Sequence, residues 1–213
     1  VDVQKDEEKG LYYVQKEKKR LYFRKSTPAK KIQKYYRALS MEQDRRSPHH
    51  YFNSVKEVTG KVFVDVGCAE GYSSLEIIEE AKHVYLFEQD EQWLEAIRAT
   101  FEPWQDKVTI VQKYVSDHNS SREQTLDDFF NNQTNEHLFL KMDIEGAERH
   151  ALAGCNNLFQ NCQKLDFAIC TYHLRDDEEV ISAFLDKHNC THINQKGFFR
   201  HKIRSVVMRG SKK

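Results

Sequence analysis

The sequence predicts an α/β fold of three layers, with a mostly parallel sheet between helices and an antiparallel hairpin at its end. Three observations carry this. From Lys61 onward, short β-rich runs alternate with amphipathic stretches, strand then helix, repeatedly. The first strand, Val62-Phe-Val-Asp-Val66, runs straight into a glycine loop, Gly67-Cys-Ala-Glu-Gly71, and then into an amphipathic segment from Ser73 to Ala81. The last two β-rich runs, 190–194 and 203–208, have no helical stretch between them and read as a hairpin joined around Gly197.

Element by element, Leu11-Tyr-Tyr-Val14 and Leu21-Tyr-Phe23 flank a charged turn and predict an N-terminal β-hairpin. Pro28 opens a helix to about Met41, with Ile32, Tyr35, Tyr36 and Leu39 on one stripe. Ser47-Pro48 breaks it. Strands follow at 61–66, 83–88, 107–112, 137–142 and 165–171, and helices at 71–81, 90–101, 124–131, 145–153 and 176–188. Pro103 stops the second of these helices. Right-handed crossovers then place helices on both faces of a parallel sheet. Residues 1–53 form an N-terminal hairpin and helical extension, or lid; residues 54–213 form the main domain.

At 213 residues the chain suits one well-buried domain. Lys plus Arg and Asp plus Glu are both 33, so no global field favours nucleic acid or a membrane. The basic runs Lys16-Glu-Lys-Lys-Arg20 and Pro28-Ala-Lys-Lys31 read as solvated faces. Cys68, Cys155, Cys162, Cys170 and Cys190 are odd in number, contain no C-x-x-C pair, and read as free thiols of a reducing compartment. No apolar run reaches membrane-spanning length and no signal peptide is visible, so a cytoplasmic location is expected. The first residue is Val1 rather than Met, so a preceding segment is expected.

The glycine loop is not G-x-G-x-x-G, the pattern that seats a pyrophosphate on a helix N-terminus. Its glycines let backbone approach a ligand closely. Asp65, two residues before Gly67, would repel a diphosphate but suits the ammonium and sulfonium of S-adenosylmethionine. Glu88 ends the next strand, His83-Val-Tyr-Leu-Phe87, where it is placed to take both hydroxyls of a ribose, with Gln89 beside it. This D-x-G-x-x-x-G pattern with a strand-end acid resembles motifs I and II of the class I methyltransferases. The resemblance implies a Rossmann-like sheet of seven strands and a cofactor held by Asp65, Gly67, Cys68, Gly71, Glu88 and Gln89. Ser116-Asp117, after the third strand, is placed to receive the adenine amino group; the alternative is a polar loop with no ligand.

The segment Lys141-Met-Asp-Ile-Glu-Gly-Ala-Glu148 is similar to the K-x-D-x-E-G-A-E signature of the FkbM-type methyltransferases. That resemblance runs from about Ser47 to His188 and includes Tyr172-His173; upstream, Glu42 to Tyr51 also looks like a family segment that could close over the cofactor. Motif I departs from the family in Cys68-Ala-Glu70, which leaves Glu70 without an assigned role. The resemblance implies an S-adenosylmethionine-dependent O-methyltransferase acting on a small molecule or glycan, with a sugar favoured.

Asp143 ends the fourth strand beside the expected methyl position and is assigned to both catalysis and cofactor contact. Glu145 and Glu148 fall where a helix begins, so capping is the alternative for both; Glu145 is kept as catalytic and Glu148 is read as capping or packing. His173 ends the neighbouring strand, where a near-neutral imidazole would act as base; its alternative is a helix cap or a bond to a backbone carbonyl. The mechanism takes a metal-free base, with Mg²⁺ held by Asp143 and Glu145 or His173 as the other option. His188, Cys190 and His192 straddle a helix end and are read as structural, and Tyr12, Tyr13, Tyr22, Tyr35 and Tyr36 as packing. No membrane span and no nucleic-acid partner are expected. The rivals are an RNA methyltransferase using the basic hairpin on phosphates, and an inactive scaffold with this fold.

Overall fold

The structure, a computed structural model, describes residues 1–131, 136–199 and 202–212. In chain order its elements are β1 (Val3–Asp6), β2 (Leu11–Lys16), β3 (Lys19–Tyr22), α1 (Ala29–Glu42), β4 (Val62–Val66), α2 (Tyr72–Ile77), β5 (His83–Phe87), α3 (Glu91–Phe101), β6 (Val108–Val111), β7 (Tyr114–Val115), β8 (Glu123–Gln124), α4 (Leu126–Phe129), β9 (His137–Met142), α5 (Glu148–Ala153), α6 (Asn156–Asn161), β10 (Lys164–Cys170), α7 (Asp177–Lys187), β11 (Thr191–Phe199) and β12 (Lys202–Lys212).

Seven strands form the main sheet in the order β11-β12-β10-β9-β4-β5-β6. From β10 to β6 the neighbours are parallel; β12 runs antiparallel to β10, and β11 to β12. Strand order reverses between β4 and β9, so the crevice beyond their carboxyl ends is the topological switch point where ligands sit in such sheets.

Strand β4 is buried at every residue, as a central parallel strand must be. Alternate side chains enter two cores. Val62, Val64 and Val66 join Leu138, Leu140, Met142 and Ile169 on one face. Phe63 joins Phe139, Leu75 and Ile97 on the other, and the Phe63 and Phe139 rings stack at 5.5 Å. Caps set the helix starts: Asp90 accepts from the Gln92 N–H at 2.9 Å and Thr125 from the Asp128 N–H at 3.1 Å.

The structure differs from the sequence reading in several places. The N-terminal hairpin is a three-stranded antiparallel sheet, because β1 pairs with β2. Leu11, Tyr13 and Tyr22 of this sheet pack on Ala96 of α3. The helix expected over 145–153 begins only at Glu148, since Glu145 (φ 56°) and Gly146 (φ 102°) are left-handed. The helix expected over 71–81 ends at Ile77, and that expected over 124–131 contracts to α4. Helix α6 has no counterpart among the expected elements. Gly197 is not a turn residue but lies inside β11 opposite Arg204, where a Cβ would stand 2.2 Å from Pro48 Cγ. Residues 200–201, between β11 and β12 in sequence, lie outside the described residues.

The tightest constraint is Gly67. Its φ is +77°, and a Cβ there would stand 2.1 Å from the Asp143 carbonyl oxygen. Gly67→Ala should therefore destabilise the chain by more than about 2 kcal/mol, from left-handed strain plus a backbone clash, read by urea unfolding. A variant as stable as the parent would show that the loop relaxes freely.

Candidate active site

Five loops at the carboxyl end of the sheet enclose a cleft of about 600 Å³, within the range of small-molecule sites at roughly 300–1,000 Å³. Strand order sets its layout. Lys113 to Val115 follow β6, Glu88 to Asp90 follow β5, the glycine loop follows β4, Asp143 to Glu145 follow β9, and Tyr172 follows β10. The N-terminal segment adds Arg24, Tyr35, Leu39, Glu42, Gln43 and Tyr51.

Under the glycine loop lies a buried ion pair. Asp65 on β4 is in register with Lys141 on β9, two residues along from the stacked phenylalanines. Lys141 Nζ stands 2.8 Å from Asp65 Oδ1 and donates to the Gly67 carbonyl at 2.7 Å. Ser74 donates to Asp65 Oδ2 at 2.6 Å. Burial opposes the ammonium charge, but Asp65 and then Asp143 outweigh it and hold the Lys141 pKa above its ordinary value. Asp65 is thus met by Lys141 and Ser74 inside the protein while it also lines the cleft.

Glu88 lines the cleft with both oxygens held by backbone: Ala69 N–H donates at 3.1 Å and Asp90 N–H at 2.8 Å. The first bond fixes the loop where Ala69 is left-handed (φ 47°). Beside it Arg24 pairs with Asp90 at 3.2 Å and lies 4.3 Å over the Trp93 ring, on which Tyr35 also stacks. Tyr35 donates to Glu70 at 2.9 Å. Burial pushes the Glu70 carboxyl up to about 7.

At the far end, Tyr51 donates to Asp143 Oδ2 at 2.7 Å. Burial and then Asp143 keep that phenol protonated, well above its usual pKa. His173 lies behind Asp143 rather than on the cleft wall. Its Nδ1 stands 2.9 Å from Glu148 Oε1, and its Nε2 3.5 Å from Asp143 and 3.4 Å from Glu145. Glu148 is fully buried and also accepts from the Ile144 N–H at 2.9 Å. Burial alone would lower the His173 pKa, but Glu148 first, then Asp143 and Glu145, raise it above its ordinary value. His173, expected as a base at the strand end, is thus enclosed by three carboxylates.

With this geometry in place, likeness to known proteins becomes informative. The sequence profile of the Methyltransferase FkbM domain matches residues 39–165. This chain belongs to the FkbM methyltransferase family. The matched segment is accordingly a methyltransferase domain. A methyltransferase FkbM from Methylobacillus flagellatus is 18% identical over 71% of this chain, with a TM-score of 0.57, and the match spans only 43% of that protein. A Streptococcus mutans protein described as a methyltransferase, in complex with SAH, is 14% identical over 74% of this chain and 91% of its own, TM-score 0.51. A Streptococcus pneumoniae protein described as a tRNA (m1A22) methyltransferase is 14% identical over 74% and 66%, TM-score 0.50. At these identities the likeness is one of fold. A comparison with curated proteins gave no match.

Of the residues the sequence singled out in this FkbM domain, Asp65, Gly67, Cys68, Glu88, Gln89, Asp143 and Glu145 line the cleft. Gly71 does not; it is where the loop meets Phe101, whose Cε2 would stand 2.6 Å from a Cβ at that position. Ser116 and Asp117 do not line it either. Ser116 N–H pairs with Gln124 and Asp117 turns outward to His118 at 2.8 Å, because the cleft wall here is the preceding 113–115. Sequence reasoning missed Lys141 as a charge partner and Arg24, Trp93 and Tyr172 as wall residues. The lysine's signal is a charge in a strand otherwise apolar from Leu138 to Met142.

Two outcomes follow. Lys141→Met leaves Asp65 buried without a charge partner and should cost about 3–5 kcal/mol in chemical unfolding, most of it recovered in Asp65→Asn/Lys141→Met. An unchanged single variant would mean the pair is dispensable. Glu70, with a folded pKa of about 7 against an ordinary 4.5, binds its proton more tightly when folded. Its contribution to stability is complete below pH 4.5 and is lost as pH rises through 7. Glu70→Gln should remove that dependence and gain up to about 3 kcal/mol at pH 8; parallel stability–pH curves for parent and variant would refute the assignment.

Proposed function

We propose that this chain moves the methyl group of S-adenosylmethionine onto a hydroxyl of a small-molecule or glycan acceptor, a sugar, with Asp143 receiving the hydroxyl proton. The observation that carries this is one continuous cleft running past Glu88 and the glycine loop to Asp143 and Tyr51. Bound S-adenosylmethionine supplies an activated methyl group, so the chain has mainly to align donor and acceptor. Glu88 and Gln89 are read as holding the ribose, Gly67 and Cys68 the amino-acid end, and Trp93 with Arg24 the wall beside the base. The N-terminal segment is read as the lid, through Tyr35, Glu42 and Tyr51.

The cleft wall supports a cationic donor and an acceptor without phosphates. Asp65, Glu70, Glu88, Asp90, Asp143, Glu42 and Glu145 outnumber Arg24, Lys113 and Lys141 there. A polyphosphate chain would be repelled, which disfavours RNA. Tyr51 holds one oxygen of Asp143, and His173 stands behind the other at 3.5 Å. Tyr172 and His49, with ring centroids 5.3 Å apart, offer an aromatic edge to a sugar face. Five unpaired, buried cysteines support a reducing compartment, and among the described residues no helix is long and apolar enough to cross a membrane.

Calorimetry with S-adenosylhomocysteine tests the placement. Glu88→Ala should weaken binding at least tenfold. Asp143→Asn should bind within a few-fold of the parent yet lose about 10²–10⁴-fold in transfer to a sugar panel. Loss of binding in Asp143→Asn would reassign Asp143 to the cofactor, and unchanged affinity in Glu88→Ala would displace the site.

A further inference from the structure

Three carboxylates converge on one imidazole at the acceptor end of the cleft. The Glu148–His173 Nδ1 separation, 2.9 Å, is that of a hydrogen bond. The two separations at Nε2, 3.5 Å to Asp143 Oδ1 and 3.4 Å to Glu145 Oε2, are too long for good ones. Asp143 Oδ1 and both ring nitrogens of His173 are buried without a well-formed hydrogen bond, and the His173 side chain is only 8% exposed. Lys141 acts on Asp143 only through space, being bonded to Asp65 and the Gly67 carbonyl. Glu145 is also held in left-handed backbone at a non-glycine position, a conformation that persists only where the surroundings enforce it.

Asp143, Glu148 and His173 offer ligand atoms within 4.8 Å of one another, and Glu145 would have to swing inward to join them. We propose that Asp143 Oδ1 and His173 Nε2, joined by Glu145 once it turns inward, form a site for a divalent first-row transition-metal ion, with Glu148 as the carboxylate that orients His173. Ligands about 2.0–2.1 Å from a tetrahedral ion stand about 3.3–3.4 Å from one another, close to the spacings at Nε2. A histidine whose other nitrogen faces a carboxylate, as His173 Nδ1 faces Glu148 at 2.9 Å, is the usual arrangement of a metal-bound imidazole. One nitrogen with two carboxylate oxygens suits Mn²⁺, Fe²⁺ or Zn²⁺ better than Mg²⁺, which prefers all-oxygen ligation. Tyr51 occupies Asp143 Oδ2 and so leaves Oδ1 for the ion. The Glu145 side chain is 91% exposed and has room to swing inward. The ion and a proton compete for the same lone pair of Nε2. Held there, the ion would lower the pKa of an acceptor hydroxyl; only this role, and not the binding, rests on the proposed transfer.

The test is a titration of the full chain with Mn²⁺, followed by electron paramagnetic resonance, with Zn²⁺ as competitor and S-adenosylhomocysteine calorimetry in parallel. One Mn²⁺ per chain is expected, displaced by Zn²⁺. Glu145→Gln, at an exposed position that leaves folding intact, should weaken Mn²⁺ at least tenfold, Glu148→Gln about 10–100-fold, and His173→Gln should abolish binding. Absence of Mn²⁺ binding at millimolar concentration, or equal binding by the parent and Glu145→Gln, overturns the site. If that happens with S-adenosylhomocysteine affinity intact, the transfer reading stands; loss of cofactor affinity in the parent chain would instead remove the transfer reading.

Discussion

The crevice depends on one buried ion pair. Asp65 and Lys141 sit opposite each other on adjacent central strands, and each makes a second bond, to Ser74 and to the Gly67 carbonyl. A slip of one residue in either strand would turn a charge into the opposite apolar core, so the pair locks the register between the two halves of the sheet. The same lysine closes the glycine loop, and the loop in turn leaves no space for a side chain at Gly67. Sheet register, loop shape and the position of Asp143 are therefore coupled through two charges.

Around that pair the walls divide by origin. The family segment, from residue 39 to 165, contributes the glycine loop, Glu88, Asp143 and Glu145. Arg24 and Tyr35 come from the preceding residues and close the side of the cleft through Trp93, Asp90 and Glu70. The N-terminal sheet is anchored for this by Tyr22, whose backbone N–H donates to Thr100 of α3 at 3.0 Å. Packing of a segment outside the family match thus shapes the pocket inside it.

Much of this is legible in the residues themselves. The alternation from Lys61 marks the parallel strands because a buried strand and an amphipathic helix have different periods. The signature from Lys141 to Glu148 marks a strand end rich in acids. The helix boundary at Glu145 escapes a sequence reading because nothing local marks a non-glycine residue as left-handed. Gly197 imitates a turn residue because its reason, the approach of Pro48, is distant in sequence. Glu148 reads as a cap or packing residue. It does accept a backbone N–H, and it also holds His173, which lies on another element.

By itself the sequence determined the parallel strands of the main sheet and the helices between them from Lys61 onward, apart from α6, together with the glycine loop and which acids stand at strand ends, since these follow from short-range pattern and backbone sterics. Only the tertiary structure decided how those acids are used. Asp65 is neutralised by Lys141, Ser116 and Asp117 turn away from the cleft, and His173 is enclosed by Glu148, Asp143 and Glu145. The physical reason is that a charge's role depends on its partner and its burial, and both are set by residues far apart in the chain.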